Sequence, residues 1–209
     1  FPVTGGYEIA DGPNSNEKTR TSARRIILVK GHTRFVGRGT QALHAIEELS
    51  RQLVGYQVIV YSADPKAKRL ANLIAKRSGL SIKVFGRGQI AHQDLLEMFE
   101  SARIYVGISL SDGISVSLQE AMVCGAFPIQ TDTSCAGEWI VNEKSGFIVS
   151  PNDHSGLVTA IRTALENDEL VDSAAQINYE VAHRRLDKSK VLAISSNFYY
   201  SVPNSTTLN

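Results

Sequence analysis

SLSDGISVSLQEAMVCGAFPI, residues 109–129, decides how the rest of the chain is read. Residues 103–108 (RIYVGI) form an apolar run typical of a buried strand, and residues 115–124 read as a helix, so the stretch is a strand-to-helix junction. Two acids, Asp112 and Glu120, stand on it with seven residues between them. Asp112 falls on the loop, and Glu120 falls about one turn inside the helix, on the side facing that loop. Gly113 and Ser115 leave the backbone uncrowded, so amides at the helix N-terminus can meet phosphate or sugar oxygens. A carboxylate at Glu120 can accept both hydroxyls of a ribose diol, as an acid does in dinucleotide-binding folds. A second reading fits the same residues. Ser117-Leu118-Gln119-Glu120 is an S-x-x-E capping box, and Asp112 can cap the turn before it; both acids would then serve only the local fold.

Outward from this junction the strand–helix alternation repeats. Strands are expected at residues 25–30, 57–61, 81–85, 103–108, 127–130 and 146–149, with helices between them at 40–53, 66–77, 93–101, 115–124 and, briefly, 138–141. In the helix at 40–53, Leu43, Ile46, Leu49 and Leu53 share one face. The pattern predicts an α/β protein with a Rossmann-like, doubly wound parallel sheet of about six strands. Ligands of such sheets bind beyond the carboxyl ends of the strands, here the loops after Lys30, Phe85, Ile108 and Gln130. After Pro151 the chain turns helical at 153–166, 169–185 and 188–200, and the stripe Val191, Ile194, Phe198, Tyr199 on the last helix is expected to pack on a neighbour. Residues 1–23 read as a linker or arm, 24–200 as the folded domain and 201–209 as a disordered tail.

Composition narrows the function classes. Lys and Arg total 22 against 21 Asp and Glu, a formal charge of +1, so nothing draws the chain as a whole to nucleic acid or to anionic lipid. Phosphate contacts must then come from a few placed groups. The two cysteines, Cys124 and Cys135, form no C-x-x-C pair and are expected as free thiols in a reducing compartment. No apolar run approaches the roughly 20 residues that span a bilayer, and the first residues lack the regions of a signal peptide. A cytoplasmic protein is expected, peripheral to a membrane only through a further domain. No D-x-D sequence is present to hold a divalent ion, and His44, His92, His154 and His183 lack the spacing of a metal site or catalytic pair, so they read as structural or surface residues.

The stretch from Glu120 onward resembles a known family. Glu120-Ala121-Met122, Gly125, Pro128 and Ile129 match, in order, the E-A-M-x-x-G-x-P-[VI] segment of the retaining glycosyltransferase family 4 (glycosyl transferases group 1), whose fold is GT-B; Asp112 stands where the first acid of the family's E-x7-E would be. Ala136-Gly137-Glu138 is similar to the family's G-x-P-E loop, and Ser145-Gly146-Phe147-Ile148-Val149 to its G-x-L-V. The resemblance covers about residues 3–200 and implies one half of a GT-B enzyme, the nucleotide-sugar-binding domain, with an acceptor-binding N-terminal domain missing. It implies a nucleotide diphosphate sugar as donor, transfer with retention, no metal or other cofactor, and a fragment inactive alone. Asp112 and Arg38 are the implied catalytic residues. His32, Arg34, Arg38, Gly113, Ile114, Ser115 and Val116 would meet the diphosphate and sugar, Glu120 the ribose, and Arg87 and Ile90 in the loop after the third strand the base. Two departures matter. The family's G-R-x5-K-G becomes Gly31-His32, five residues, then Arg38-Gly39, so a partly charged His32 replaces Arg, with Lys30 or Arg34 as possible compensation, and Asp112 is one methylene shorter than Glu.

Two alternatives compete. Gly37-x-Gly39-x-x-Ala42 with Asp64 about 25 residues on fits the fingerprint of an NAD(P)-binding oxidoreductase domain, although six residues separate Lys30 from its first glycine. A non-catalytic nucleotide-binding module is the other, favoured by the departures at His32 and Asp112.

Overall fold

The computed structural model describes residues 6–9, 19–34, 36–113, 115–133 and 135–201. Six strands form one sheet: β1 (Ile26–Lys30), β2 (Gln57–Ala63), β3 (Ser81–Gly86), β4 (Ala102–Gly107), β5 (Phe127–Thr131) and β6 (Phe147–Val149). Their spatial order is β3-β2-β1-β4-β5-β6, and every neighbouring pair is parallel. The chain leaves β1 toward one edge and returns to β4 on the other side, so the strand order reverses between β1 and β4, where a crevice must open. Helices α1 (Gly39–Glu48), α2 (Pro65–Ser78), α3 (His92–Ser101), α4 (Val116–Val123), α5 (His154–Glu166), α6 (Asp168–Arg185) and α7 (Lys188–Ser201) complete the fold.

Alternation along the strands divides the core. Ile27 and Val29 of β1 pack with Leu43, Ile46, Ile74, Leu157 and Ile161 of α1, α2 and α5. Leu28 faces the other way, joining Tyr61, Phe99 and Tyr105 on the side covered by α3 and α4. The charged end of Arg103, in β4, is buried and held by the carbonyls of Ala164, Leu165 and Ser22 and by Asp168. This clamp ties β4 to the α5–α6 junction.

Several expectations shift. Regular α1 ends at Glu48, where residues 40–53 were expected; Leu49 and Leu53 stay fully buried on turns, because turns preserve one-sided burial at the same spacing. The short helix expected at 138–141 is a 3-10 turn at Ala136–Glu138. The stripe on α7 is more open than expected: Val191 is half-buried, while Ile194, Phe198 and Tyr199 are 47%, 46% and 74% exposed. The start of α7 is tied down by Lys188 to Glu8 and by Lys190 to the carbonyl of His183. Within the stretch read as an arm, Tyr7 pairs with Asp187 and the Thr21 hydroxyl donates to the Gly125 carbonyl; residues 1–5 and 10–18 of that arm and residues 202–209 of the expected tail lie outside the described residues. Cys124 and Cys135 form no disulfide. Among the described residues no helix is long and apolar enough to cross a membrane.

Candidate donor site at the reversal of strand order

The loops that follow β1 and β4 lock together over the crevice. The amide of Arg38 donates to the carbonyl of Ile108 and that of Leu110 to Val36, at 3.2 and 2.7 Å, with an antiparallel bridge between Gly37 and Ser109. The β1 loop also closes on itself, Gly39 N–H donating to the His32 carbonyl at 2.9 Å. That closure needs glycine: a Cβ on Gly37 would lie 2.3 Å from the His32 oxygen, and one on Gly39 would lie 2.7 Å from the Gly31 carbonyl carbon. Beneath the locked loops is a cavity of about 140 Å³ lined by Lys30, His32, Val36, Gly37, Ile108, Ser109, Ser111 and Asp112. It has room for a phosphate or part of a sugar, well short of the roughly 300 Å³ or more of whole small-molecule sites.

Lys30 and His32 therefore meet Asp112 here, although Lys30 and Asp112 stand 82 positions apart in the chain. The Lys30 Nζ stands 3.6 Å from the Asp112 Oδ2, both side chains 31% exposed. Asp112 also accepts the Gly113 amide at 3.0 Å. That amide, read as free for a ligand, is thus already engaged.

Glu120 lies deeper. Its carboxylate is almost wholly buried on α4, and its Oε1 is 2.7 Å from the Nε2 of His92 at the start of α3. Burial raises the Glu120 pKa above the ordinary carboxylate value, and the hydrogen bond and charge of His92, then the charge of Lys30, pull it partly back. The capping-box reading of this acid does not hold. The N-cap of α4 is Ser115, two residues before Ser117, and its hydroxyl accepts the Leu118 amide, so Glu120 reaches His92 instead of the helix start. Ser115 is buried and Val116 is exposed; helices leave amides of their first turn without internal partners, so this end of α4 still offers donors beside Asp112. Ile114 lies outside the described residues.

The remaining expected residues are more dispersed. Arg38 is the N-cap residue of α1, and its Nη2 points to the Asn152 Oδ1 at 3.4 Å, away from the residues that line the cavity. Arg34 is exposed on the loop. Arg87 is exposed on the turn after β3, and Ile90 is half-buried against Leu28 and Phe99 on the α3 face. Sequence reasoning missed His92, because a contact between residues 28 apart leaves no mark in spacing. Lys30 did carry a signal, as the one charge closing an otherwise apolar strand.

The residues of the dinucleotide fingerprint are occupied otherwise. Asp64 caps α2 by accepting the Lys66 and Ala67 amides, and its second oxygen takes the amide and hydroxyl of Thr33. Those bonds fasten the β1 loop and leave the carboxylate committed within the protein, while Gly37 and Gly39 face that loop's own backbone. No group of three or more His, Cys, Asp or Glu suited to a metal ion occurs among the described residues.

Comparisons with known proteins follow this geometry. The family model described as glycosyl transferases group 1 matches residues 12–181. A glycogen synthase of Mycobacterium tuberculosis is 23% identical over 184 residues, covering 88% of this chain and 43% of the synthase. Among solved structures, TarM of S. aureus superposes with a TM-score of 0.72 at 16% identity, over 96% of this chain and 39% of TarM. HepE of Anabaena, in complex with UDP-glucose, does so with a TM-score of 0.69 at 15% identity, over 87% of this chain and 50% of HepE. The chain thus spans about half or less of the length of these relatives. The all-parallel sheet with its covering helices is a Rossmann-like unit of the GT-B kind.

Proposed function

Because the chain belongs to the glycosyl transferases group 1 family, we propose that this glycosyltransferase chain is the donor-binding domain, taking a nucleotide diphosphate sugar at the crevice between β1 and β4. The acceptor is held on an N-terminal domain outside this sequence, so the chain alone binds donor and transfers no sugar. The observation that carries the reading is the meeting of Lys30, His32 and Asp112 around one cavity, with the buried acid of Glu120 on the adjoining helix. Binding of UDP-glucose by HepE, a protein of the same fold, supports the choice of donor class.

In this reading Glu120 accepts the ribose hydroxyls, the first amides of α4 and His32 meet the diphosphate, Asp112 faces the transferred sugar, and Arg87 and Ile90 border the base. Arg34 and Arg38 reach the diphosphate by side-chain movement, Arg38 giving up Asn152. The bond from the anomeric carbon to the diphosphate breaks, a bond to an acceptor hydroxyl forms on the same face, and the acceptor's proton passes to the departing phosphate. Charge grows on that phosphate in the transition state, so cations and amides aimed at it speed the reaction. The protein supplies these, and no metal is required. The full-length enzyme works in the cytoplasm, touching a membrane only through its other domain.

The test is thermal denaturation of the chain with UDP-, GDP- and ADP-sugars, alongside NAD and NADP, each with and without EDTA. A donor that binds the folded state raises the melting temperature with concentration. The reading expects one or more nucleotide sugars to do so, EDTA leaving the shift intact. A shift with NAD or NADP alone, or with none of the compounds, overturns it.

A further inference from the structure

The charges around the cavity do not balance without one residue to which the family pattern gives no part. Asp112 and the neighbouring Glu120 bring two carboxyl groups, Arg38 is turned to Asn152, and Arg34 is exposed on the loop outside the cavity lining. Until Arg34 and Arg38 move, a diphosphate entering the cavity meets these two carboxyl groups and no guanidinium. Lys30 changes that sum. It ends β1, on the same face as Leu28, and so stands on the α3–α4 side of the sheet, at the floor of the cavity. Its charge reaches Glu120 as well as Asp112. A lysine is fully charged at any physiological pH.

We propose that Lys30 is a donor-binding residue of this site, whose ammonium pairs with Asp112 while the cavity is empty and turns to the donor's diphosphate when it is filled. The proposal rests on the donor-site reading above. At 3.6 Å and 31% exposure the pair with Asp112 is loose, and such solvent-screened pairs contribute little, so exchange for a more highly charged partner is favourable. The exchange also frees Asp112 to face the sugar at the moment the sugar arrives. It makes Lys30 the fixed positive charge of this site and explains how a histidine is tolerated in place of the family's arginine at position 32.

The experiment is calorimetry of UDP and GDP, each against its parent nucleoside, on the wild-type chain and on Lys30→Gln, Lys30→Arg, Asp112→Asn and Glu120→Gln, with circular dichroism confirming that each variant is folded. Lys30→Gln is expected to weaken diphosphate binding about 10- to 100-fold while nucleoside binding stays unchanged, and Lys30→Arg to stay within a few-fold of wild type. Asp112→Asn is expected to keep or tighten diphosphate binding, since it releases Lys30. Should Asp112→Asn weaken UDP as much as Lys30→Gln does, Lys30 acts only by holding Asp112 and the proposal falls. It falls too if Lys30→Gln affects diphosphate and nucleoside alike, or leaves both unchanged while Glu120→Gln loses affinity; in that last case the donor-site reading survives. Absence of nucleotide binding by the folded wild-type chain sinks both together.

Discussion

The Nε2 of His92 lies 2.7 Å from the Oε1 of Glu120, joining a mostly exposed ring to a carboxylate only 4% exposed. The acid is therefore oriented by a residue from another helix. A carboxylate oxygen accepts more than one hydrogen bond, so the ring orients Glu120 without filling it.

Replacing the ring removes that orientation. His92→Ala is expected to weaken UDP or GDP binding about 5-fold, the worth of roughly 1 kcal/mol for one lost hydrogen bond, and His92→Gln, which restores a donor, to recover part of it. Calorimetry decides, and tighter binding by His92→Ala would instead identify the ring as an obstruction.

Glu120 itself sets stability against binding. Burial raises its folded-state pKa above its ordinary value of 4.5, so its favourable contribution is fully present below that value and is lost as pH rises through the folded pKa. Glu120→Gln is thus expected to be more stable than wild type at neutral pH, with the difference shrinking toward about pH 4, where both side chains are neutral. The same variant should bind nucleotide about 10- to 150-fold more weakly, a loss of ~1.5 to 3 kcal/mol. Chemical denaturation at both pH values, paired with calorimetry, reads the two effects; a less stable variant at neutral pH contradicts the first.

Gly37 tests whether the locked loops matter to binding. In Gly37→Ala a Cβ 2.3 Å from the His32 oxygen forces the β1 loop outward. An overpacking cost of ~1 to 3 kcal/mol is expected, together with loss of the nucleotide-induced thermal shift. A variant that is destabilised yet keeps its full shift would separate the loop from the site.

Arg103 provides the contrasting case, far from any ligand. Arg103→Met strands the carbonyls of Ala164, Leu165 and Ser22 and is expected to cost about 3 kcal/mol, since hydrogen bonds to charged groups are worth ~1.5 to 3 kcal/mol apiece and the longer apolar side chain restores only packing. Nucleotide affinity of the protein that remains folded should match wild type, as measured by denaturation and calorimetry together.

The sheet was legible because its continuous apolar runs and intervening amphipathic helices are local properties, and the loops after Lys30 and Ile108 were two of the four that follow the carboxyl ends of strands. Leu49 and Leu53 show the limit at element ends, since burial on a turn and burial on a helix leave the same periodicity. Asp112 and Glu120 announced themselves through spacing on one junction. Partners did not: that Lys30 serves Asp112, that His92 serves Glu120 and that Arg38 turns to Asn152 depend on how elements distant in sequence pack. The capping box at Ser117 misled because Ser115, two residues earlier, competes for the same role and lies where the chain actually turns.

The hydrogen bonds from Arg38 to Ile108 and from Leu110 to Val36 have a thermodynamic consequence. Two loops that would otherwise be ordered by the donor are ordered during folding, so the conformational entropy of bringing them together is charged to the fold and not to association. If this crevice holds the donor as proposed, its capture approaches the docking of one rigid body onto another, with little backbone reorganisation in the entropy of binding.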